Sequence, residues 1–162
     1  MAITTAKSLA AYIAHKYRVE TGKEISPVRM QKTLYFCFAY WGGFVRKGKK
    51  YQDKDRQEID VSGFDEILFN DRIEAWVYGP VIPSVYHDSN VQNNYSDDYL
   101  NDNPTVKEFI DGIIRETLDI NDFKLVDISH SDSSWIRHFD YNADFHNEEI
   151  NKEEIIEEYA TK

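Results

Sequence analysis

Three histidines recur at intervals of eight residues near the end of the chain, and three aspartates lie among them. The set comprises His130, Asp132, His138, Asp140, Asp144 and His146. Imidazole nitrogens and carboxylate oxygens are ordinary ligands of Zn²⁺ and other transition metals. However, helical neighbours stand three or four residues apart, so a spacing of eight does not by itself bring these side chains to one point. The pattern favours surface or locally hydrogen-bonded histidines, and we expect neither a metal site nor a cofactor.

A serine and a histidine lie close together at Ser84 and His87, with Ser89 just beyond them. Nucleophilic hydrolysis requires that a base and an orienting group meet the nucleophile in space, and closeness in sequence does not supply this. The sequence contains no GxSxG, HExxH or GxxxxGK[ST] motif. We therefore expect no catalytic residues and a protein that is not an enzyme.

Charge is distributed unevenly along the 162 residues. Residues 1–50 carry ten Lys or Arg and two Asp or Glu, whereas residues 51–162 carry nine and 27, and the net charge is −10. A basic cluster at 46–50 could contact phosphates, but an acidic surface repels nucleic acid at long range. Direct nucleic-acid binding is therefore not expected. The acidic part could keep the protein in solution, face a basic protein or imitate a polyanion, and the sequence leaves these open.

Large aromatic residues form a further set with possible binding chemistry: Trp41, Trp76, Tyr78, Tyr86 and Trp135. Partly buried aromatic side chains supply much contact area at low entropic cost, which is why protein interfaces favour them. They also build ordinary hydrophobic cores. For any one of them, core packing is favoured over interface contact.

The first elements that must position these residues are two helices. Thr4 or Thr5 can cap a helix that runs to about Glu20 and is stopped by Gly22. Ser26 followed by proline starts a second helix, which is apolar almost all round in LYFCFAYW and is therefore predicted to be central and buried, over about 27–41. Gly42-Gly43 is predicted to end it. Its Cys37 is the chain's single cysteine, so no internal disulfide forms and a buried thiol is expected.

The middle of the chain is predicted to hold a charged loop and a small hairpin. We expect a loop or exposed insertion at about 44–62, and then two short strands at 67–69 and 73–77 joined by a turn at Asn70-Asp71. Gly79-Pro80 is predicted to break the second strand and to open a short helix that contains Val85. The resulting corner, with Tyr78 at the strand end, would be rigid.

The remainder is predicted to be helical after an Asn- and Asp-rich loop at 88–103. Helices are expected from Pro104, over about 122–129, around Trp135, and after Asn151, where Glu154 resembles the partner in a capping box. The fold class is thus mainly α (α+β), a single compact helical domain over 1–162. No apolar run is long enough for a membrane span and no leader precedes the first helix, so we expect a cytoplasmic protein with no membrane partner.

Several segments resemble, in order, the Panacea (SocA-like) antitoxin domain family of bacteria and their phages. The similar stretches are AKSLAAYIAHKY in the first helix, MQKTLYF at 30–36, EAWVYGPVIPSVY at 74–86, SHSDSSW at 129–135 and the last helix at 151–159. The YGPVxPxVY core is the most specific of these. Thr33 replaces the usual leucine of the family, the charged insertion is longer than usual, and the helix pair around 119–123 is shortened.

The resemblance implies a protein that binds and neutralises a toxin encoded nearby. It also suggests two alternatives: a phage-encoded inhibitor of a host defence protein, whose acidic part mimics nucleic acid, or an adaptor that delivers bound proteins to a protease. In each case the partner is a protein. We hypothesise that the partner surface lies around the corner at 78–80 and comprises Trp76, Tyr78, Gly79, Pro80, Tyr86, His130 and Trp135.

Overall fold

The computed structural model describes residues 2–48, 50–52, 58–88, 103–143 and 145–162. Most of the predicted loop at 88–103 therefore lies outside the described residues. The helices are α1 (Ala6–Thr21), α2 (Pro27–Lys47), α3 (Pro83–Tyr86), α4 (Pro104–Leu118), α5 (Asp122–His130), α6 (Ser133–His138) and α7 (Lys152–Ala160). The strands are β1 (Tyr51–Gln52), β2 (Glu58–Ile59), β3 (Glu74–Trp76), β4 (Gly79–Val81) and β5 (Glu148–Glu149). The mainly α (α+β) class is confirmed. Within the described ranges, no helix is long and apolar enough to cross a membrane.

The first two helices begin where the capping signals predict. The Thr5 side chain accepts a hydrogen bond from the Ser8 amide at the start of α1, and Gly22 ends that helix with φ of 71°. The Ser26 side chain accepts from the Arg29 amide at the start of α2. Each cap satisfies an amide that the helix itself leaves without a partner.

The centre of the fold is α2, as predicted from its apolar sequence. Its buried side chains include Leu34, Tyr35, Cys37, Phe38 and Trp41, each with 0% exposure. Helices α1, α4, α5 and α7 all pack against it. Because the segment LYFCFAYW is almost wholly buried, it can be apolar around its whole circumference.

The predicted end of α2 at Gly42-Gly43 is wrong, because the helix continues to Lys47 and ends at Gly48 with φ of 65°. The two glycines instead allow α7 to approach closely. A Cβ at Gly42 would lie 2.6 Å from Cγ1 of Ile156, and a Cβ at Gly43 would lie 2.9 Å from the backbone carbon of Tyr159. Glycine in a helix interior costs roughly 1 kcal/mol relative to alanine, and here the close packing of two helices accounts for it.

The prediction of a loop at about 44–62 is also wrong for part of its length. Residues 44–47 belong to α2, and β1 pairs antiparallel with β2, so that Tyr51 lies opposite Ile59. Ile59 and Val61 are buried in the core, which anchors the later end of this charged segment. Residues 53–57 lie outside the described ranges.

The small hairpin exists, but its predicted partner strand is wrong. β3 pairs with β4, with Trp76 opposite Gly79, so Val77 and Tyr78 form the turn. Residues 67–69 are not a strand. Gly79 has φ of 108°, a conformation that L side chains rarely adopt, and this makes the tight turn possible. Pro80 therefore lies in a strand rather than opening a helix, and α3 begins at Pro83.

The third strand of this sheet, β5, had no signal in the sequence. It pairs antiparallel with β3, so that Glu74 lies opposite Glu149 and Ala75 opposite Glu148. Its two residues are exposed, and a two-residue acidic segment carries no strand pattern. The sheet thus follows the order β4-β3-β5 and places the Val77–Tyr78 turn at one end.

The last four helices lie where the sequence predicts them, from Pro104 onward. A buried carboxylate joins α6 and α7 to the central helix α2. Asp132 accepts hydrogen bonds from the hydroxyls of Tyr35 at 2.5 Å and Tyr159 at 2.6 Å, and from the ammonium of Lys162 at 3.0 Å. Burial, together with this carboxylate, raises the pKa of both tyrosines well above the usual value. The tyrosines therefore stay neutral and donate to the carboxylate, which fixes α7 against α2.

The capping interaction at α7 differs in one detail. The Asn151 side chain accepts from the Glu153 amide at 2.8 Å, so the predicted N-cap is present. The carboxylate of Glu154 instead contacts Nε2 of His138 at 3.0 Å and the guanidinium of Arg137 at 3.1 Å. This side chain therefore links α7 to α6.

Candidate functional site

The turn between β3 and β4 presents apolar side chains to solvent. Tyr78 is 68% exposed, Tyr86 is 52% exposed and Val77 is 47% exposed. The ring of Trp76 meets the ring of Tyr86 edge to face at a centroid distance of 4.9 Å. This contact holds Tyr86 in place while its outer face stays free for a partner.

These side chains surround a pocket with a volume of about 450 Å³. Its apolar lining comprises Val28, Trp76, Val77, Tyr78, Val81 and Tyr86. The pocket lies between the start of α2 and the hairpin, and Val28 adds a further exposed side chain at 38%. Exposed apolar side chains that converge on one concave site mark a binding site more strongly than the same residues scattered singly.

A buried lysine belongs to the same pocket. Lys32 is 1% exposed, and its ammonium donates to the carbonyl oxygen of Pro80 at 2.9 Å. A Cβ built on Gly79 would lie 2.9 Å from this ammonium, so the lysine lies directly against the hairpin. Burial lowers the pKa of Lys32 from 10.5 to about 7, because the charged form loses its hydration.

The lysine also explains how β4 is held. Proline has no backbone N–H, so Pro80 cannot donate a hydrogen bond to a neighbouring strand. Its carbonyl oxygen accepts a hydrogen bond from the ammonium of Lys32. The amide of Ile82 donates to the side-chain oxygen of Gln31 at 2.8 Å. Two adjacent polar residues of α2 therefore fix the strand, and the sequence analysis did not identify Lys32 as a site residue. The available signal was a charged residue two positions before the apolar run LYFCFAYW, in a helix predicted to be buried.

His130 at the end of α5 and Trp135 in α6 hold the other strand of the hairpin and its turn. The indole N–H of Trp135 donates to the carbonyl oxygen of Trp76 at 2.9 Å. Nε2 of His130 lies 2.9 Å from the carbonyl oxygen of Val77, and a carbonyl only accepts, so this nitrogen carries the proton. The two rings stack at 4.3 Å. The segment SHSDSSW therefore positions the turn.

The structure thus gathers the seven hypothesised partner residues around one hairpin, with unequal exposure. Tyr78 and Tyr86 are exposed, whereas Trp76 and His130 are partly buried. The remaining three, Gly79, Pro80 and Trp135, are buried. Buried residues cannot contact a partner directly, so their contribution is to position the exposed ones.

The histidine series does not converge. His138 contacts Glu154 and Glu148, while the ring of His146 packs against Phe139 at 4.6 Å. Within the described ranges, which exclude Asp144, no three His, Cys, Asp or Glu side chains are arranged to hold a metal ion.

The other two candidate groups are engaged in local contacts. The hydroxyl of Ser84 donates to Asp71 at 2.7 Å, and the ring of His87 packs against Tyr86 at 5.2 Å. Ser89 lies outside the described residues.

Arg46 and Lys50 of the basic cluster at 46–50 contact carboxylates of the chain itself, and Lys50 lies 3.6 Å from Glu58. Lys49 lies outside the described residues. Arg46 contacts Glu66 at 2.7 Å, Glu153 at 2.7 Å and Glu157 at 3.1 Å. Hydrogen bonds from Glu66 and Glu153 raise the pKa of the Arg46 guanidinium further above its usual value. This arginine joins α2 to α7 and is not available to bind phosphate.

One comparison with known proteins gives a match. The family model described as antitoxin SocA-like, Panacea domain, matches residues 55–136, which is slightly more than half of the chain. The matched range contains the hairpin, α3, α4, α5 and the first residues of α6. No curated protein and no solved structure matches the chain.

Proposed function

Because the chain belongs to the family of antitoxin SocA-like Panacea domains, we propose that it neutralises a toxin by direct protein–protein binding. The family implies a protein partner and suggests a role without catalysis. The binding surface we propose is the rim of the pocket at the hairpin turn, hereafter the turn surface: Val28, Trp76, Val77, Tyr78 and Tyr86.

The observation that carries this proposal is the exposure of two tyrosines at a rigidly held hairpin, Tyr78 in its turn and Tyr86 in the helix α3 that follows it. Tyr78 and Tyr86 are more than half exposed, whereas the backbone beneath them is held by Lys32, His130 and Trp135. A surface that is ordered before binding loses little conformational entropy when the partner docks. Tyrosine is enriched among the residues that dominate binding energy.

The charge distribution supports the turn surface over an acidic, nucleic-acid-like surface on α7. Glu153 and Glu157 are exposed on that helix, but both contact Arg46. Part of the acidic charge is therefore neutralised within the fold. Binding through apolar side chains should change little with salt, whereas a polyanion mimic should lose affinity steeply as salt rises.

The test is the affinity of the chain for the product of the adjacent reading frame, measured by calorimetry with purified proteins. We expect the double variant Tyr78→Ala, Tyr86→Ala to bind about thirtyfold more weakly or worse, since two central aromatic residues together commonly contribute about 2 kcal/mol or more. The matched control is Phe123→Ala, because Phe123 is 85% exposed and does not line the pocket.

The control variant should bind as the wild type does, and circular dichroism should show all variants folded. Normal binding by the folded double variant would refute the turn surface as the interface. If affinity falls steeply as the salt concentration rises but does not change when the two tyrosines are replaced, the result would instead support the acidic surface.

A further inference from the structure

The pocket at the turn surface contains the amino group of a buried lysine. Lys32 donates to the carbonyl of Pro80, and among the described residues no carboxylate forms an ion pair with it. An ammonium has three N–H donors, and buried lysines are rarely found without a paired charge. A cation in this position therefore has unused capacity for an anionic acceptor.

A second polar group in the same pocket has no partner among the described residues. Nε2 of His146 is buried and makes no hydrogen bond to any of them, and His146 lines the pocket together with Lys32. Buried polar atoms without partners are rare, and each one points to a missing partner such as a water molecule or a ligand. His146 approaches from the segment before β5 and Lys32 from α2, so the two observations are independent.

Apart from Gln31, whose side-chain oxygen accepts from the Ile82 amide, the rest of the lining is apolar, which restricts the ligand further. Trp76, Val81 and Tyr86 offer contact area for an alkyl or aromatic group, and a volume of about 450 Å³ is small for a binding pocket. The ligand must therefore combine an apolar group and an anionic acceptor within a short distance. A C-terminal amino acid residue carries both on one carbon atom, whereas an internal acidic residue carries its carboxylate without an apolar side chain on that carbon.

We propose that this pocket binds the apolar C-terminal residue of the partner protein. Its side chain packs against Trp76, Val81 and Tyr86, and its α-carboxylate accepts hydrogen bonds from Lys32 and His146. That the bound residue belongs to the partner protein rests on the proposed function. That the pocket prefers a carboxylate does not. Capture of a terminal carboxylate is a recurring mode of peptide recognition.

The experiment uses the full chain and two probes, N-acetyl-L-phenylalanine and its carboxamide, which differ in the charge of one group. Binding is followed by NMR through the ring signals of His146 and the indole signal of Trp76. We expect the acid to bind at least about tenfold more tightly than the carboxamide, because hydrogen bonds to a charged group are the stronger ones. A third probe, N-acetyl-glutamate α-methylamide, represents an internal acidic residue and should bind more weakly than the acid.

The matched variants are Lys32→Met, which removes the buried charge, and Lys124→Met, which removes an exposed one outside the pocket. The preference for the acid should disappear in the first and persist in the second. If Lys32→Met does not fold, His146→Phe takes its place and should reduce the preference, and the comparison of probes on the wild type needs no variant.

The proposal would be overturned if the carboxamide bound as tightly as the acid, or if the glutamate probe bound as tightly as the acid. Absence of binding by the acid would also overturn it. Signals that shift only at residues away from the pocket would do the same. These results would leave the proposed function intact, since the partner could still dock on the turn surface. Conversely, a failure of the adjacent gene product to bind would leave a measured preference for the acid standing.

Discussion

Replacing Lys32 with methionine tests whether burial destabilises the charged form of this lysine. Methionine retains an unbranched side chain of similar length but carries no charge. In the folded protein burial lowers the pKa of Lys32 from 10.5 to about 7. Between these two values the unfolded chain binds more protons than the folded one, so the free energy of unfolding rises as pH increases. Below about pH 7 the lysine is charged in both states, and its burial penalty is fully present.

The size of the effect follows from the pKa shift. A shift of about 3.5 units corresponds to roughly 5 kcal/mol over the whole window, as an upper value. Between pH 6 and pH 9.5 the wild type should gain about 3 kcal/mol relative to Lys32→Met. The variant should be the more stable protein at pH 6. Its advantage should shrink at pH 9.5, because the buried lysine of the wild type is then neutral and most of its burial penalty is gone. The lost hydrogen bond to Pro80, which contributes about 1 kcal/mol, lowers the stability of the variant at both pH values.

The assay is urea unfolding followed by circular dichroism at both pH values. Groups that titrate in both proteins cancel when the two free energies of unfolding are subtracted. Lys124→Met serves as the control, because an exposed lysine should give a pH dependence equal to that of the wild type. Parallel pH profiles for wild type and Lys32→Met would refute the assignment of Lys32 as a buried, unneutralised cation.

Three further substitutions, with Gly63→Ala as a comparison for one of them, test the packing of the fold, each by urea unfolding. Gly43→Ala should destabilise the protein by about 1–2 kcal/mol, since the clash with the backbone of Tyr159 outweighs the gain in helix propensity; unchanged stability would mean that α7 does not pack this closely. Gly79→Ala should cost about 2–4 kcal/mol through both strain and clash. Gly63→Ala should cost only about 1 kcal/mol because no atom of the described residues lies within 4 Å of its Cβ position, and equal losses at these two sites would contradict the close contact at the hairpin. Asp132→Asn should cost about 3 kcal/mol, because two buried tyrosine hydroxyls and an ammonium lose their shared carboxylate; a loss below about 1 kcal/mol would show that this carboxylate does not fix the last helix.

The central helix and the caps could be predicted from sequence because their signals are local. Ser26 and Pro27 favour a helix start through their own chemistry, and an apolar circumference requires burial wherever the helix lies. The end of α2 was harder to predict, because Gly42-Gly43 is equally consistent with a helix stop and with close packing against another helix. The partner that decides between them, α7, lies more than 100 residues later in the chain.

The sequence predicted the residues around the turn, but not the two polar residues Lys32 and His146 that line the pocket. The stretch EAWVYGPVIPSVY marks the hairpin by its composition, but the pairing of β3 with β4 depends on the positive φ of Gly79. Lys32 and His146 line the same pocket because of the tertiary fold, and no spacing in the sequence indicates this. The basic cluster was misleading for the same reason, since the carboxylates that occupy Arg46 come mainly from α7.

The most direct test of the proposed function is a growth rescue. The product of the adjacent reading frame is expressed from an inducible promoter, alone and together with this chain or with its Tyr78→Ala, Tyr86→Ala variant. We predict that the neighbour arrests growth, that the wild-type chain restores it, and that the folded double variant restores it poorly. A neighbour that arrests growth whether or not this chain is present would contradict the antitoxin function, and full rescue by the double variant would contradict the turn surface.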